Sequence, residues 1–474
     1  MISVFLFFGV AILLTAEGRL LCSLIAGTHL RRCEQWALGL PLGAFLNALL
    51  YFVYTVIGIP LTALTTFGGH LLILLFAGVF TMKMKMFSPD KSSTSLDSLN
   101  PKQGLGFRSL EKSNLSSRFF SIFMFIFVLF ITIKLFYGVT HALLPTYYYD
   151  SVSQWTMRAK ISYLDHAIAF DTNELRGISK PQYPIFLHSI QITFALGQGQ
   201  WIDLAANSAT LLLSLMSFLA FFLLLMRYAG IMRAGLALGL VLTIPLISLH
   251  LGQGYGDVHV LTSLLLAAAL LCLTSKTKEW NPRLLLLSAL FISSAAWMKQ
   301  DGIIFGVVPW IAILGVAGYF RGFRTPLMSS ILPSIIFASL WSILLVTKGL
   351  PLSPHGGGDF SLTFHGDAVP EAFRQLFAAG SFGVHWYLAI ALLVFSVPLL
   401  RKTRSEDFPA YLILLWSALT FFGALIIFLA TPNVQFLVNA QTFSRTMIFP
   451  LSLLLLATSM ILPLPCARDS DGLA

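Results

Sequence analysis

The chain has 474 residues, 57% hydrophobic and 11% charged, with 30 Lys and Arg against 20 Asp and Glu and a net charge of +10. A soluble domain carries about 25% charged residues, so this composition, with a mean hydropathy of +0.82, excludes an ordinary soluble enzyme and makes the bilayer the solvent. The positive excess does not mark a nucleic-acid binder, because the cations sit in short loops between apolar runs and form no basic stripe with interleaved aromatics.

The apolar runs predict thirteen transmembrane helices, at about 2–28, 36–59, 60–81, 119–138, 202–226, 235–251, 258–275, 284–298, 302–319, 327–347, 386–400, 408–430 and 447–463. The run FFSIFMFIFVLFITI at 119–133 has no alternation of apolar and polar residues, which excludes a membrane barrel. The first run lacks a basic n-region and a small-residue cleavage site, and reads as a retained span. Residues 82–118 are polar, Ser-rich and basic, and predict a flexible cytoplasmic loop. The four cysteines, Cys22, Cys33, Cys272 and Cys466, have neither metal-ligand nor disulfide-framework spacing.

Charge orients these spans. The segments 31–35, 82–118, 227–234, 276–283, 321–326 and 401–407, together with the C-terminal tail, hold 20 of the 30 Lys and Arg. Placing them inside puts the N-terminus outside and the C-terminus in the cytoplasm of a multi-pass plasma (inner) membrane protein. The opposite face then holds 139–201, 252–257, 348–385 and 431–446. The apolar run 183–198 has to stay on that outer side as a juxtamembrane or re-entrant helix, since a crossing there would invert every later loop. The whole chain, 1–474, reads as one integral-membrane domain.

The ionisable residues of the outer face are the functional candidates. In YYYDSVSQWTMRAK (147–160), Met157, Ile161 and Leu164 recur at helical spacing, predicting an interfacial helix with Trp155 as anchor and Arg158 and Lys160 snorkelling. Asp150 starts that helix, as an N-cap or as a catalytic base. GQGYGDVHV (252–260) is a Gly-rich turn in which Asp257 either caps the next span or belongs to a site. WMKQDG (297–302) sets Lys299 and Asp301 between two short spans, as a local ion pair or as part of a pocket. Arg445 precedes the last span against the positive-inside bias, as a lipid anchor or a site cation. The scattered histidines form no HExxH or other close ligand pair.

Taken in order over about residues 140–450, these segments resemble polytopic bacterial glycosyltransferases of the GT-C superfamily, the architecture of protein O-mannosyltransferases and of the lipid A aminoarabinose transferase. The resemblance rests on Asp150 followed by Trp155 and Arg158-Ala159-Lys160; on Lys180-Pro181-Gln182-Tyr183-Pro184; on Gly254-Tyr255-Gly256-Asp257; on Trp297-Met298-Lys299-Gln300-Asp301-Gly302; and on Thr431-Pro432 with Arg445. Gln300-Asp301 stands where Asn-Glu is commoner, and the spans ahead of the Asp loop are an extension over the single one of many relatives.

The resemblance implies an all-α, GT-C-like transmembrane bundle of about thirteen spans, with juxtamembrane helices and a catalytic loop at 139–201 and a lid at 348–385. It implies an inverting transfer of a sugar from a polyprenyl-phosphate donor to a glycan, lipid or protein acceptor on the outer face, among membrane lipids and without nucleic acid. Asp150 would be the general base, strengthened by burial, and Asp257 would orient the acceptor or help hold a divalent ion, whose need the sequence leaves open. Lys180 and Arg445, with Arg158 and Lys160 behind them, would stabilise the departing phosphate. Trp155, Tyr183, Tyr255, Lys299 and Asp301 would shape the pocket. The alternatives are a transporter or flippase of a lipid-linked sugar, for which Glu17 inside the first span is the one supporting residue, and a non-catalytic scaffold.

Overall fold

The computed structural model describes residues 2–87, 114–170, 176, 178, 180–274, 280–352, 362–400, 408–439 and 442–462. Among them every regular element is helical. Helices α1 (Ile2–Ala26), α2 (Arg32–Ile57), α3 (Ala63–Phe87) and α4 (Asn114–Ala142) lead to a π-helical turn, Ser151–Thr156, which runs into α5 (Met157–Leu164). Then come α6 (Phe186–Gln198), α7 (Asp203–Ala229), α8 (Ile231–Leu242), α9 (Pro245–Leu251), α10 (Gly256–Thr274) and α11 (Pro282–Met298). A second π turn, Ile303–Val307, opens α12 (Val308–Arg321), and the short α13 (Arg324–Pro326) and a third, Leu327–Ile331, open α14 (Leu332–Thr347). The chain closes with α15 (Val369–Phe377), α16 (His385–Leu400), α17 (Phe408–Ala430), α18 (Val434–Val438) and α19 (Phe443–Ile461).

All thirteen apolar runs are helical. Nine described helices are long and apolar enough to cross a membrane, a tenth crossing would be a bent pair, and three apolar helices are shorter. The bent pair corrects the single span expected at 235–251: α8 and α9 meet at 76°. Pro245 supplies no amide and cannot follow a helical residue without clash, so the helix restarts there. Pro309 acts more locally. Its missing N–H leaves the Phe305 carbonyl without a helical partner, and Trp416 Nε1 donates to that oxygen at 3.1 Å, tying α17 to the π turn before α12.

Close approach and buried polarity join the first helices to the rest. A Cβ on Gly43 would lie 1.8 Å from the Leu14 carbonyl, and one on Gly18 1.9 Å from that of Gly39, so α1 and α2 touch backbone to backbone. Helix α6 packs beside them. Phe186 at one end stacks on Phe45 in the middle of α2, and Gln198 at the other accepts a hydrogen bond from Ser3 Oγ (3.0 Å) at the start of α1. Its 13 residues are buried almost throughout.

Glu17 is explained by this packing. Its carboxylate meets His70 Nδ1 at 2.8 Å, with both side chains inaccessible. His70 Nε2 meets Asn47 Oδ1 (3.1 Å), which also accepts from Thr193 Oγ1 (2.9 Å), while Asn47 Nδ2 donates to Ser189 Oγ (3.0 Å). The chain of contacts bolts α1, α2, α3 and α6 together.

The bundle has two chemically different ends. At one, Arg227 pairs with Glu34 (3.0 Å), Arg233 Nε donates to the Leu462 carbonyl (3.2 Å), and the Arg321 guanidinium lies 4.6 Å from the ring centre of Phe408. These are the segments that charge assigned to one face. The other end carries the C-termini of α4 and α11 and the N-termini of α10 and α19. Of the segments expected to be a flexible loop and a lid, 88–113 and 353–361, with His355 and Asp359, lie outside the described residues, as do Asp171, Glu174 and Cys466.

Removing one partner of a buried pair costs about 3–5 kcal/mol, while an apolar replacement of both costs far less. Glu17→Ala is therefore expected to lower the unfolding temperature in detergent markedly, and Glu17→Leu with His70→Leu to recover most of the loss. A single variant as stable as the parent would show that the pair does not hold these helices.

Candidate functional site

Four segments deliver the charged side chains at one end of the bundle. Helix α4 ends at Ala142, and the chain re-enters a helix at Asp150, whose backbone is already helical and whose side chain caps no amide. The N-cap reading of Asp150 is thereby corrected. Its carboxylate instead accepts from Gln154 Nε2 (3.1 Å), one π-widened turn ahead. Asp257 stands in the first turn of α10. Lys299 ends α11 because its backbone turns extended, φ −156° and ψ 149°, and the chain then doubles back through Gly302, where a Cβ would lie 2.1 Å from the Ala295 carbonyl. Arg445 occupies the first turn of α19.

These side chains form one line of alternating charge. Arg445 Nη1 donates to Asp150 Oδ2, across 295 positions of sequence, and Arg445 Nε stands 3.9 Å from Asp257 Oδ2. Lys299 Nζ sits 2.8 Å from Asp257 Oδ1 and 2.7 Å from Asp301 Oδ2. The order is Asp150, Arg445, Asp257, Lys299, Asp301. Burial works against the Lys299 ammonium, but Asp257 and Asp301 on its two sides outweigh it and raise its pKa.

Exposure divides the line. The side chains of Asp257 and Lys299 are 3% and 7% exposed, whereas Asp150, Arg445 and Asp301 are 18%, 16% and 24% exposed. A ligand can reach the second group without disturbing the first. Arg445 Nε has no hydrogen-bond partner among the described residues, which leaves an inward donor beside Asp257. No three His, Cys, Asp or Glu side chains converge as metal ligands among the described residues, and two cations separate the three aspartates.

Aromatic rings wall the line. Tyr255 lies 5.8 Å from the Arg445 guanidinium and stacks on His250 at 3.9 Å. Trp155 is not an interfacial anchor, which corrects that expectation. It is buried, stacked on Tyr183 at 5.0 Å with ring planes 6° apart, and presses on Gly256, where a Cβ would lie 2.8 Å from its ring. Only glycine before Asp257 lets the π turn and α10 meet. Burial pushes the Tyr183 hydroxyl up to about 12.

The other expected cations stand apart from this line. Arg158 does not snorkel. It is buried, Nε donating to the Ala169 carbonyl (3.0 Å) and Nη1 to that of Tyr183, with Phe170 and Trp341 facing its guanidinium. It braces the segment that carries Tyr183. Lys160 is exposed on α5, and Lys180 is half-buried where the chain turns toward Tyr183. Of the expected lid, α15 packs on α19 through Gln375, which accepts from Ser444 Oγ (3.0 Å), next to Arg445.

The sequence reading gave no role to three supporting residues. Gln154 lies four residues after Asp150, a helical spacing that was its only signal. Gln253 accepts from Tyr147 N (3.1 Å), donates to the His141 carbonyl (2.7 Å), and through its own carbonyl accepts from Ser151 Oγ. It stitches the Asp150 segment to the Gly-rich turn. Gln300 Nε2 donates to the carbonyls of Leu352 (2.8 Å) and Gln182 (3.3 Å), so the glutamine at that motif position joins two loops beside the site.

No protein-family model and no curated protein sequence matches this chain. Among solved structures it is similar to ArnT from Cupriavidus metallidurans, a lipid A aminoarabinose transferase of the GT-C kind, with a TM-score of 0.50 and 12% identity. The match covers 70% of this chain and 59% of that one, so the chain matches less than two thirds of ArnT's length. At this identity the likeness concerns the fold alone: an all-helical, polytopic bundle like that of ArnT.

Proposed function

We propose that the chain is a membrane glycosyltransferase that moves a sugar from a polyprenyl-phosphate donor to an acceptor hydroxyl or amine at the outer face, with Asp150 as general base. The observation that carries this reading is the shared arginine: Arg445 bonds the one accessible carboxylate that starts the juxtamembrane helix and also faces buried Asp257. Transfer from a phosphate donor requires a base on the acceptor and a cation on the leaving group, and these two groups stand here in contact.

In the resting arrangement Arg445 occupies the base. A donor phosphate offers the guanidinium a bidentate partner, draws it toward the leaving oxygen, and releases Asp150, which Gln154 continues to orient. Asp150 then takes the acceptor proton as the acceptor oxygen or nitrogen attacks the anomeric carbon. The bond from that carbon to the phosphate oxygen breaks, and polyprenyl phosphate leaves paired with Arg445. A single displacement inverts the anomeric configuration. Asp257, itself held by Lys299, holds Arg445 in place from beneath, and Asp301 borders the opening.

Asp150→Asn keeps the acceptor to Gln154 and removes the base. It is expected to fold normally and to lose about 10²–10⁴-fold in transfer rate, measured as sugar incorporated from a polyprenyl-phosphate donor; undiminished transfer removes Asp150 as base. Arg445→Lys keeps a charge but loses the planar fork, and is expected to cost about 10²–10³-fold in kcat. Asp257→Asn leaves Lys299 with Asp301 alone and is expected to destabilise the fold by up to about 3 kcal/mol, read as a drop in unfolding temperature. A stable Asp257→Asn protein would show that Asp257 is not the anchor.

A further inference from the structure

Lys134 belongs to no group described so far. It stands on α4 among exposed apolar neighbours, Leu129, Phe130, Ile133 and Phe136, eight residues before the helix ends at Ala142 and so about 12 Å below that end. Its ammonium lies 5.4 Å from the ring centre of Phe130, and no carboxylate pairs with it among the described residues. An ionisable side chain inside a membrane helix marks a functional site by default.

Lys134 lines a lateral groove of about 340 Å³ between α4, α9 and residues 380–381, a size typical of small-molecule sites. Tyr137, Ser248 and Ser381 add hydroxyl-bearing side chains to the wall, and Leu246 and Leu249 an apolar surface. The groove is a product of the break at Pro245: α9 swings away from α8, and Leu246 N donates to the Ser381 carbonyl at 3.1 Å. The imidazoles on this side are engaged elsewhere: His385 by Thr243 Oγ1 (2.9 Å) and the Phe382 carbonyl (2.7 Å), and His141, stacked on Tyr137 at 4.0 Å, by the Tyr147 hydroxyl. Lys134 is therefore the groove's cation. At its far end α9 presents His250, stacked on the Tyr255 ring that faces Arg445. Helix α9, seven residues and about 10 Å long, thus has the groove along it and the Arg445 ring wall at its C-terminal end.

We propose that this groove is a second phosphate station, in which Lys134 and the neighbouring hydroxyls hold the phosphate of a polyprenyl carrier on its way to or from Arg445. The inference rests on the glycosyltransferase reading for the identity of the carrier. A cation without a carboxylate partner complements an anionic headgroup, and the apolar wall takes the first prenyl units, which have no place among the charges around Arg445.

Native mass spectrometry of the full chain with added polyprenyl monophosphate tests it. The parent is expected to bind two carriers, Lys134→Gln and Arg445→Gln one each, and Lys134→Arg two again. A tenfold excess of phosphatidylglycerol is expected to leave both carriers bound. Two carriers on Lys134→Gln, or one on the parent that Arg445→Gln alone removes, overturns the station. Displacement by phosphatidylglycerol overturns its assignment to the carrier. If the parent binds two carriers with this pattern yet transfers no sugar from a charged donor, the catalytic reading fails while the station stands.

Discussion

Arg445 is shared by two carboxylates that reach it from different parts of the chain, and the charged end of the bundle is organised around that sharing. Asp150 comes after α4 and Asp257 opens α10. Neither cation of the line is covered by a single carboxylate, and Asp257 is covered by both cations. A buried charge is tolerable only when paired, so each member fixes the next: Lys299 requires the end of α11 to lie against the start of α10, and Asp257 then requires the start of α19 to lie beside it. The line thus acts as a gauge for where four segments end, which is why helices of such different lengths finish at a common level.

Helix breaks supply the shape around that gauge. Pro245 turns α9 across the bundle, and Pro309 leaves a carbonyl that Trp416 captures. The π turn after Asp150 widens the helix so that Trp155 faces inward onto Tyr183 and Gly256. Extra width at this position lets an Asp, a Gln and a Trp on the same short segment point to the same side, which π-helical turns at functional sites commonly achieve.

The spans were legible because twenty apolar residues in a row have few other solutions. The division into two ends was legible from the loop cations, and it separated the residues that now form the line from the arginines at the opposite end. The individual roles at the site were harder to read, because burial is a long-range property. Trp155 and Arg158 carry the composition of an interfacial helix, and nothing within that segment reveals that Tyr183, Gly256 and Ala169 close over them. Asp150 sits where a cap belongs; its true partner lies near the end of the sequence. The kink in α8–α9 was visible as a proline, but an apolar run alone gave no reason to bend there.

The unequal exposure of the line separates what can exchange from what cannot. Two unit charges 4 Å apart interact by about 4 kcal/mol at an effective dielectric of 20, and an incoming phosphate returns to Arg445 what it loses by leaving Asp150, so an exchange at the accessible end is close to neutral. Asp257 and Lys299 have no such replacement, since a ligand able to substitute for either would have to enter a place with almost no exposed surface. Within the line, Asp257 and Lys299 therefore form a fixed pair that sets the position of Arg445, and Asp150 and Arg445 an open pair whose partner can change. In the glycosyltransferase reading that division couples the two substrates. The base becomes available only when a phosphate has taken its arginine, so a site without a donor leaves Asp150 occupied and the acceptor untouched.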